Sequence, residues 1–278
     1  MSLQELDTHN AVRATLNYLL RTEKKPYHYT FEPPHGVPAR FAEINPVENV
    51  VIRNGRPLAG DFSLDAQGFE LHRHDTAVEN FYDAEEIRDV YYPEVEEFLK
   101  SVTGAEKVVI FDHTIRSIPK FAAGEKGFRE PVRSVHCDYT AKSGVRRVHD
   151  HLSAGEAEAR LKQRVWEVNV WRPIQGPVEE APLAVCDART IAPDDFIASD
   201  LIYPDKVGEI YNFAYNPAHR WFYFPRMERN EALILKCFDS DEQAPGRFSA
   251  HSAFDDPETP QNPRPRESIE TRALVFFG

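Results

Sequence analysis

The spacing of apolar residues differs between the two ends of the chain. Before residue 105 two segments have helical spacing. A helix is predicted over residues 8–21, where apolar side chains recur at the interval of one helix face, at Val12, Leu16, Leu19 and Leu20. A second helix is predicted over residues 93–103, with Pro93 in its first turn and Gly104 just after its last.

The segment between these helices follows neither period. Residues 24–46 contain five prolines and several aromatic side chains, which predicts an extended arm or loop. A short strand is predicted in ENVVIRNG. It ends in Asn54-Gly55, a pair that tolerates positive φ and therefore predicts a tight hairpin turn.

From residue 107 onward the pattern is typical of short strands. Eight runs follow one another within about 170 residues: KVVIF, SVHCDYT, VWEVNVW, PLAVCD, EIYNFAY, RWFYF, ALILKCF and SIETRALVFF. One helix, SAGEAEARLKQR, interrupts them, and Ser153 and Glu156 open it with the spacing of a capping box. Most gaps are too short for the helices of a parallel sheet, so a sandwich or jelly roll is predicted.

The fold class predicted from these runs is mainly β with flanking helices. We expect a single domain over residues 1–278, because no Gly/Ser-rich linker divides the chain. Within it, residues 1–104 are expected to form a helical or irregular N-terminal part and residues 105–278 the jelly-roll core.

Composition and charge exclude several classes of protein. The 278 residues are 41% hydrophobic, enough for a substantial core. A net charge of −12 opposes binding to nucleic acid or to an anionic membrane, and no apolar stretch approaches the roughly 18 residues of a spanning helix. Three cysteines without a Cys-x-x-Cys pair predict neither a disulfide framework nor a thiolate zinc site. We therefore expect a cytoplasmic protein; its oligomeric state is left open, with a homodimer as one candidate.

One histidine of the eleven has an acidic residue two positions on. In a strand His136 and Asp138 would point to the same side while Cys137 faces the other way. An imidazole and a carboxylate on one side form two arms of a facial triad, which a histidine from a distant strand completes around Fe(II). The alternative is a hydrogen-bonded core histidine without a metal.

The C-terminal segment supplies a candidate third ligand and a candidate carboxylate site. His251 lies between apolar residues in FSAHSAF, and Arg266-Glu267-Ser268 follows fifteen positions later. A guanidinium beside a hydroxyl is suited to the far carboxylate of 2-oxoglutarate. Four residues share strand parity and are predicted to face one interior: Arg266, Ser268, Glu270 and Arg272. Alternatively the two arginines pair with surface acids.

Polar residues elsewhere provide weaker candidates. In VWEVNVWRP one face is more polar and is predicted to line the cavity, where Asn169 or Arg172 could contact the cosubstrate carboxylate or the substrate; a polar residue on a half-exposed strand is the alternative. Asp112-His113 with Arg116 could line the pocket or form a competing metal site. Two clusters rank lower because their charge-rich stretches predict solvated loops: His72-Arg73-His74 and His149-Asp150-His151. His219 also ranks lower, because it follows a turn signal and its ring is expected to pack.

Five longer motifs occur in the order of one known family: VHCDYT, VWEVNVWRPIQGPVEEAPLAVCD, HRWFYFPRMERNEALILKCFDS, AHSAF and RESIETRALVFF. Over roughly residues 105–278 the chain resembles the CmcJ/NvfI-type, AsaB-like hydroxylase/desaturase family of Fe(II)- and 2-oxoglutarate-dependent oxygenases. The resemblance implies a double-stranded β-helix, which is a cupin-like jelly roll with iron at its mouth.

The resemblance also implies roles for individual residues. His136, Asp138 and His251 would bind Fe(II), and Arg266 and Ser268 would hold the 2-oxoglutarate C5 carboxylate, with Arg272 as the alternative arginine. The enzyme would use O₂ to oxidise a C–H bond of a small natural-product or amino-acid-derived metabolite. Hydroxylation, desaturation and oxidative ring closure all stay open.

Two other functions compete with this one. A methyltransferase would need a glycine-rich turn after a parallel strand, and the chain has none. A metal-free jelly roll that binds a ligand would have lost at least one metal ligand, whereas all three expected ligands are present. The oxygenase is therefore the predicted function.

Overall fold

The structure is a computed structural model that describes residues 10–278. Within these residues there are sixteen strands: β1 (Ala11–Leu19), β2 (Tyr27–Tyr29), β3 (Arg40–Phe41), β4 (Ile44–Asn54), β5 (Phe69–Arg73), β6 (Lys107–Ser117), β7 (Phe128–Arg129), β8 (His136–Cys137), β9 (Val165–Pro173), β10 (Leu183–Cys186), β11 (Phe196–Ile202), β12 (Val207–Phe213), β13 (Trp221–Tyr223), β14 (Glu231–Asp239), β15 (His251–Ala253) and β16 (Glu267–Phe276). The same residues contain five α-helices: α1 (Ala84–Glu86), α2 (Tyr92–Thr103), α3 (Ile118–Ala122), α4 (Ala141–His151) and α5 (Ala154–Arg160). A π-helical turn, Ile87–Tyr91, joins α1 to α2, and 3₁₀ turns lie at Arg56–Asp61, Ala188–Thr190 and Pro193–Asp195.

The strands form two sheets with the core between them. The larger sheet has the order β1-β4-β13-β10-β15-β8-β12-β11-β2-β3, and the smaller has the order β5-β14-β9-β16-β6-β7. Leu16 and Val185 from the larger sheet share one buried cluster with Trp171 and Leu235 from the smaller. The predicted mainly-β, jelly-roll fold is confirmed.

Helix α2 covers the outer face of the smaller sheet. Its buried Val95 and Leu99 pack with Val168 of β9 and Val275 of β16. Strand β9 is therefore buried on both faces. The helix predicted over residues 93–103 is confirmed and ends at Gly104, whose φ of 70° is the left-handed conformation that glycine adopts readily.

The helix predicted over residues 8–21 is wrong. Residues 11–19 form strand β1, which pairs antiparallel with β4, and residues 8 and 9 lie outside the described residues. Buried and more exposed positions alternate from Ala11 to Tyr18, with Val12, Ala14, Leu16 and Tyr18 buried, and Leu19 at the end of the strand is buried as well. Val12 and Leu16 fit both the helical and the strand pattern, so the spacing of apolar residues alone could not distinguish a helix from a strand. The β-forming residues Thr15 and Tyr18 and the partner strand decide for the strand.

The N-terminal third is also more regular than expected. Strands β1 to β4 join the larger sheet and β5 joins the smaller, so residues before 105 are not helical or irregular throughout. The predicted arm, residues 24–46, includes β2 and β3, which pair with each other at one end of the larger sheet.

The predicted hairpin turn at Asn54-Gly55 is wrong, although the strand before it is confirmed as β4. Gly55 has a φ of −79° and leads into the 3₁₀ turn at Arg56–Asp61. The Asn54 side chain accepts the backbone N–H of Arg56 at 2.9 Å, which is an Asx turn. A Cβ at Gly55 would lie 2.9 Å from the Phe224 ring, so glycine is needed here for close packing.

The helices of the C-terminal part also depart from expectation. Helix α4 was not predicted, and it contains the His149-Asp150-His151 cluster that the sequence indicated to be a loop. The helix after Ser153 is confirmed, but Ser153 makes no side-chain capping bond. Within residues 10–278, no helix combines the length and apolar character needed to cross a membrane.

Aspartate substitutions at two positions test whether residues 11–19 form a strand in solution. Ala14 is buried in β1 and Leu20 is 45% exposed, whereas the helical pattern would bury Leu20. Ala14→Asp should lower the free energy of unfolding by about 3 kcal/mol or more, because it buries an unpaired carboxylate, and Leu20→Asp should change it by less than about 0.5 kcal/mol. Urea unfolding measures both, and a larger loss in Leu20→Asp would contradict the strand.

Candidate metal centre

Three potential metal ligands meet between the two sheets. Strands β8 and β15 are neighbours, and His136 pairs directly with His251 across them. Asp138 follows β8 by one residue, at a bend. One ligand atom from each side chain lies within 4.8 Å of the others, and the His136 Nε2 to Asp138 Oδ1 distance is 3.5 Å. Among the described residues, these three are the one group of histidine, cysteine and acidic side chains with this arrangement.

Both imidazoles are oriented by backbone carbonyl groups. The Nδ1 of His136 donates to the Ser134 carbonyl at 2.8 Å, and the Nδ1 of His251 donates to the Ser249 carbonyl at 3.1 Å. With Nδ1 protonated, each Nε2 keeps a lone pair for a metal. Burial lowers the pKa of His136 to about 4, so this ring is neutral at neutral pH, as a metal ligand must be.

Asp138 supplies an ionised carboxylate. Burial by itself raises the pKa of this carboxyl, but the Arg272 guanidinium and the two imidazoles outweigh burial and hold the pKa well below its usual range. Oδ2 accepts hydrogen bonds from Asn169 Nδ2 at 2.8 Å and from Arg272 Nε at 2.9 Å. Two imidazoles and one carboxylate are the donor set of a non-haem Fe(II) facial triad, so these residues fit that metal.

A narrow cavity reaches this cluster. Its lining combines two of the candidate ligands with apolar and charged side chains: Arg116, Val132, His136, Trp171, Leu183, His251, Ala253, Arg266 and Glu270. Arg266 is 3% exposed, and its guanidinium lies 5.0 Å from the Trp171 ring centre. Arg266 Nε donates to Ser268 Oγ at 3.3 Å and Nη1 donates to the Ala181 carbonyl at 2.5 Å.

The shared parity predicted for the last strand agrees with these positions. Arg266 and Glu270 line the cavity, and Ser268 contacts Arg266. Arg272 points into the same interior and, besides Asp138, donates through Nη1 to Asp112 Oδ1 at 2.8 Å.

The polar face predicted for β9 also lies in the interior. Asn169 is fully buried and donates to Asp138, as well as to Glu270 Oε1 at 3.0 Å. The Arg172 side chain points to the opposite face of β9. Its guanidinium lies 5.4 Å from the ring centre of Tyr91, in the π-helical turn before α2. It is not a cavity residue.

The other histidine clusters lie away from the cavity. His72 is 2.7 Å from Glu70, and His74 stacks on Phe98. His219 is held between Tyr18 and Asp195, each at 3.1 Å. Asp112, His113 and Arg116 were predicted to line the pocket or to form a competing metal site, and of these three only Arg116 lines the cavity. Sequence reasoning missed Val132, Leu183 and Ala253, since single apolar residues carry no signal for a cavity wall.

A jelly roll that brings two imidazoles and a carboxylate to one buried point defines the class of facial-triad metalloenzymes. A family profile described as "Oxidoreductase/YMDC permease-like domain" matches residues 16–276. The chain is 35% identical over 245 residues to the Fe(II)/2-oxoglutarate-dependent dioxygenase nvfI of Aspergillus novofumigatus, covering 82% of this chain and 83% of the relative. It is 34% identical over 250 residues to the hydroxylase/desaturase efuI of Hormonema carpetanum, with coverage of 82% and 83%.

A solved structure agrees with the sequence comparisons. The iron and alpha-ketoglutarate-dependent endoperoxidase NvfI superposes with a TM-score of 0.88 at 30% identity, over 97% of this chain and 99% of that chain. The chain belongs to the NvfI-type, AsaB-like hydroxylase/desaturase family of Fe(II)/2-oxoglutarate-dependent oxygenases. The predicted enzyme class and cofactors are thereby confirmed, and the metal-free binding protein and the methyltransferase are disfavoured.

Glu167 is a buried acid behind the cluster that the sequence did not single out. It is fully buried on β9, and within residues 10–278 neither carboxyl oxygen has a hydrogen-bond partner. Burial raises its pKa well above the usual range. The folded protein therefore binds a proton here that the unfolded chain releases, and stability falls as pH rises above the ordinary glutamate pKa.

Replacing Glu167 with glutamine should remove this pH dependence. Relative to wild type, Glu167→Gln should gain about 1.4 kcal/mol of unfolding free energy for each pH unit between the unfolded and folded pKa values. Urea unfolding at about pH 5 and about pH 8 measures the gain. The exposed Glu158 of α5 provides the matched control, Glu158→Gln, for which no gain is expected. An equal effect of Glu167→Gln at both pH values would show that Glu167 is ionised in the folded protein.

Proposed function

We propose that His136, Asp138 and His251 bind the Fe(II) with which this oxygenase oxidises a C–H bond of a small metabolite. The observation that carries the proposal is the convergence of three ligand atoms within 4.8 Å at a cavity that Arg266 also lines. Fe(II) with 2-oxoglutarate and O₂ supplies an oxidant strong enough for an unactivated C–H bond. The chain's own residues hold the metal, orient the cosubstrate and keep bulk water out.

Arg266 and Ser268 are the proposed site for the cosubstrate C5 carboxylate. Within residues 10–278 the Arg266 guanidinium forms no ion pair with an acid, and its hydrogen bonds go to a hydroxyl and a backbone carbonyl. Burial, together with the nearby positive charge of Arg116, lowers its pKa to about 9. A buried guanidinium without a counter-ion is costly, and a bound carboxylate would relieve that cost.

Arg272 is the weaker candidate for the cosubstrate. It already forms ion pairs with Asp138 at 2.9 Å and with Asp112 at 2.8 Å. A carboxylate of 2-oxoglutarate would have to displace one of these acids. The proposal therefore assigns the cosubstrate to Arg266 and leaves Arg272 with Asp138.

The substrate proposed is a small natural-product or amino-acid-derived metabolite. The relatives' names include a hydroxylase/desaturase and an endoperoxidase, so hydroxylation, desaturation and ring closure remain alternative outcomes. We place the enzyme in the cytoplasm, where reducing conditions suit Fe(II) and three buried free cysteines. The net charge of −12 argues against nucleic acid as substrate, and the homodimer stays a prediction.

Anaerobic titration with Fe(II) and then 2-oxoglutarate tests the assignment. Wild type should develop the weak visible charge-transfer band of the chelate, and His136→Ala should not, because the metal loses a ligand. Arg266→Ala should need about 10-fold to 100-fold more 2-oxoglutarate, as expected for a lost charge-assisted bond. Circular dichroism checks that each variant is folded. A band that persists in His136→Ala would overturn the metal site, and an Arg266→Ala titration equal to wild type would overturn the cosubstrate site.

A further inference from the structure

Asp138 lacks the backbone support that the two histidines have. His136 and His251 lie on paired strands, and their rings are fixed by carbonyl groups two residues earlier. Asp138 lies at a bend after β8, which is two residues long. The direction of its carboxylate therefore depends on what its side chain contacts.

Those contacts come from the opposite sheet. Asn169 of β9 and Arg272 of β16 are paired directly in register in the smaller sheet. Both donate to the same oxygen of Asp138, Oδ2, at 2.8 and 2.9 Å. The other oxygen, Oδ1, is the one that lies 3.5 Å from His136 Nε2.

The two donors are themselves fixed. Arg272 Nη1 donates to Asp112 at 2.8 Å and to Thr114 Oγ1 at 3.2 Å, which leaves the guanidinium little freedom to rotate. Asn169 is fully buried and its amide also donates to Glu270 at 3.0 Å. Side chains held in this way are pre-organised to orient a ligand.

We propose that Asn169 and Arg272 are positioning residues that hold Oδ2 of Asp138, so that this carboxylate offers the metal one oxygen, Oδ1. The inference rests on the proposed role of Asp138 as a ligand. A single ligating oxygen keeps further coordination positions open for the cosubstrate and O₂, as the facial triad requires. The inference also gives both residues a role other than binding the cosubstrate carboxylate.

The test compares Asn169→Leu and Arg272→Met with wild type in metal binding without cosubstrate. Co(II) serves as the probe, because it binds the same donor types and has a visible spectrum that reports coordination. Both variants should bind Co(II) about 10-fold to 100-fold more weakly and show altered visible bands, as expected when a partner of a ligand is lost. At saturating Fe(II), their affinity for 2-oxoglutarate should stay within about 3-fold of wild type, since the carboxylate site is elsewhere.

Arg56→Met is the matched control. Arg56 also forms a two-bond ion pair with a carboxylate, that of Glu231, at 2.7 and 2.8 Å, and it does not line the cavity. The Arg56→Met variant should bind Co(II) with the same affinity as wild type. If Arg272→Met fails to fold because buried acids lose their partner, Asn169→Leu carries the test, since it leaves every ion pair in place.

The outcomes separate this inference from the proposed function. Unchanged Co(II) affinity and spectrum in Asn169→Leu would overturn the inference, and so would a loss of 2-oxoglutarate affinity without a change in metal binding. Failure of the proposed metal site would be recognised by a different result. Either the wild-type protein would not bind Co(II), or His136→Ala would bind Co(II) as tightly as wild type.

Discussion

The partly buried negative charge of Asp138 is the constraint on which the arrangement of the site depends. An isolated carboxylate between two packed sheets would be strongly destabilising. Arg272 supplies the compensating charge from the opposite sheet and, with Asn169, completes the hydrogen bonds of one oxygen. One set of contacts therefore keeps the carboxylate ionised, joins the two sheets and turns the free oxygen toward the histidines. The two backbone-oriented imidazoles need no such help, because β8 and β15 already align them.

The fold was predictable where one signal dominated. The repeated short runs after residue 107 favour strands because no helical period competes with them, and Gly104 ends α2 in the conformation expected of it. The helix prediction for residues 11–19 was wrong because Val12 and Leu16 fit both periods. The strand is favoured by the β-forming residues Thr15 and Tyr18 and by pairing with β4. The Asn54-Gly55 pair would allow a hairpin turn. In the structure Gly55 packs closely against Phe224 and β4 pairs with β13, so the chain does not turn back on itself at this point.

The site was predictable as far as side-chain direction goes. Parity along a strand correctly indicated that His136 and Asp138 converge and that the polar residues of β16 face one interior. Parity carries no information about what lies across the gap between sheets. Asn169 therefore appeared to be a candidate for the cosubstrate, although its amide contacts Asp138 and Glu270. Arg172 has the opposite parity to Asn169, and its burial under the helices follows from that parity alone.

Arg266, which directly precedes β16, and Arg272 within β16 illustrate why position along the chain matters as well as parity. Arg266 and Arg272 point to one interior, but six residues at a rise of about 3.3 Å separate their backbones by about 20 Å. They therefore serve different partners. Arg272 reaches acids that the chain itself supplies, so its charge is compensated before any ligand binds. Arg266 contacts a hydroxyl, a backbone carbonyl and the Trp171 ring, so its charge is not compensated by an ion pair and a bound anion would stabilise it. An anionic cosubstrate that binds there stabilises the folded protein by the same interaction that orients it.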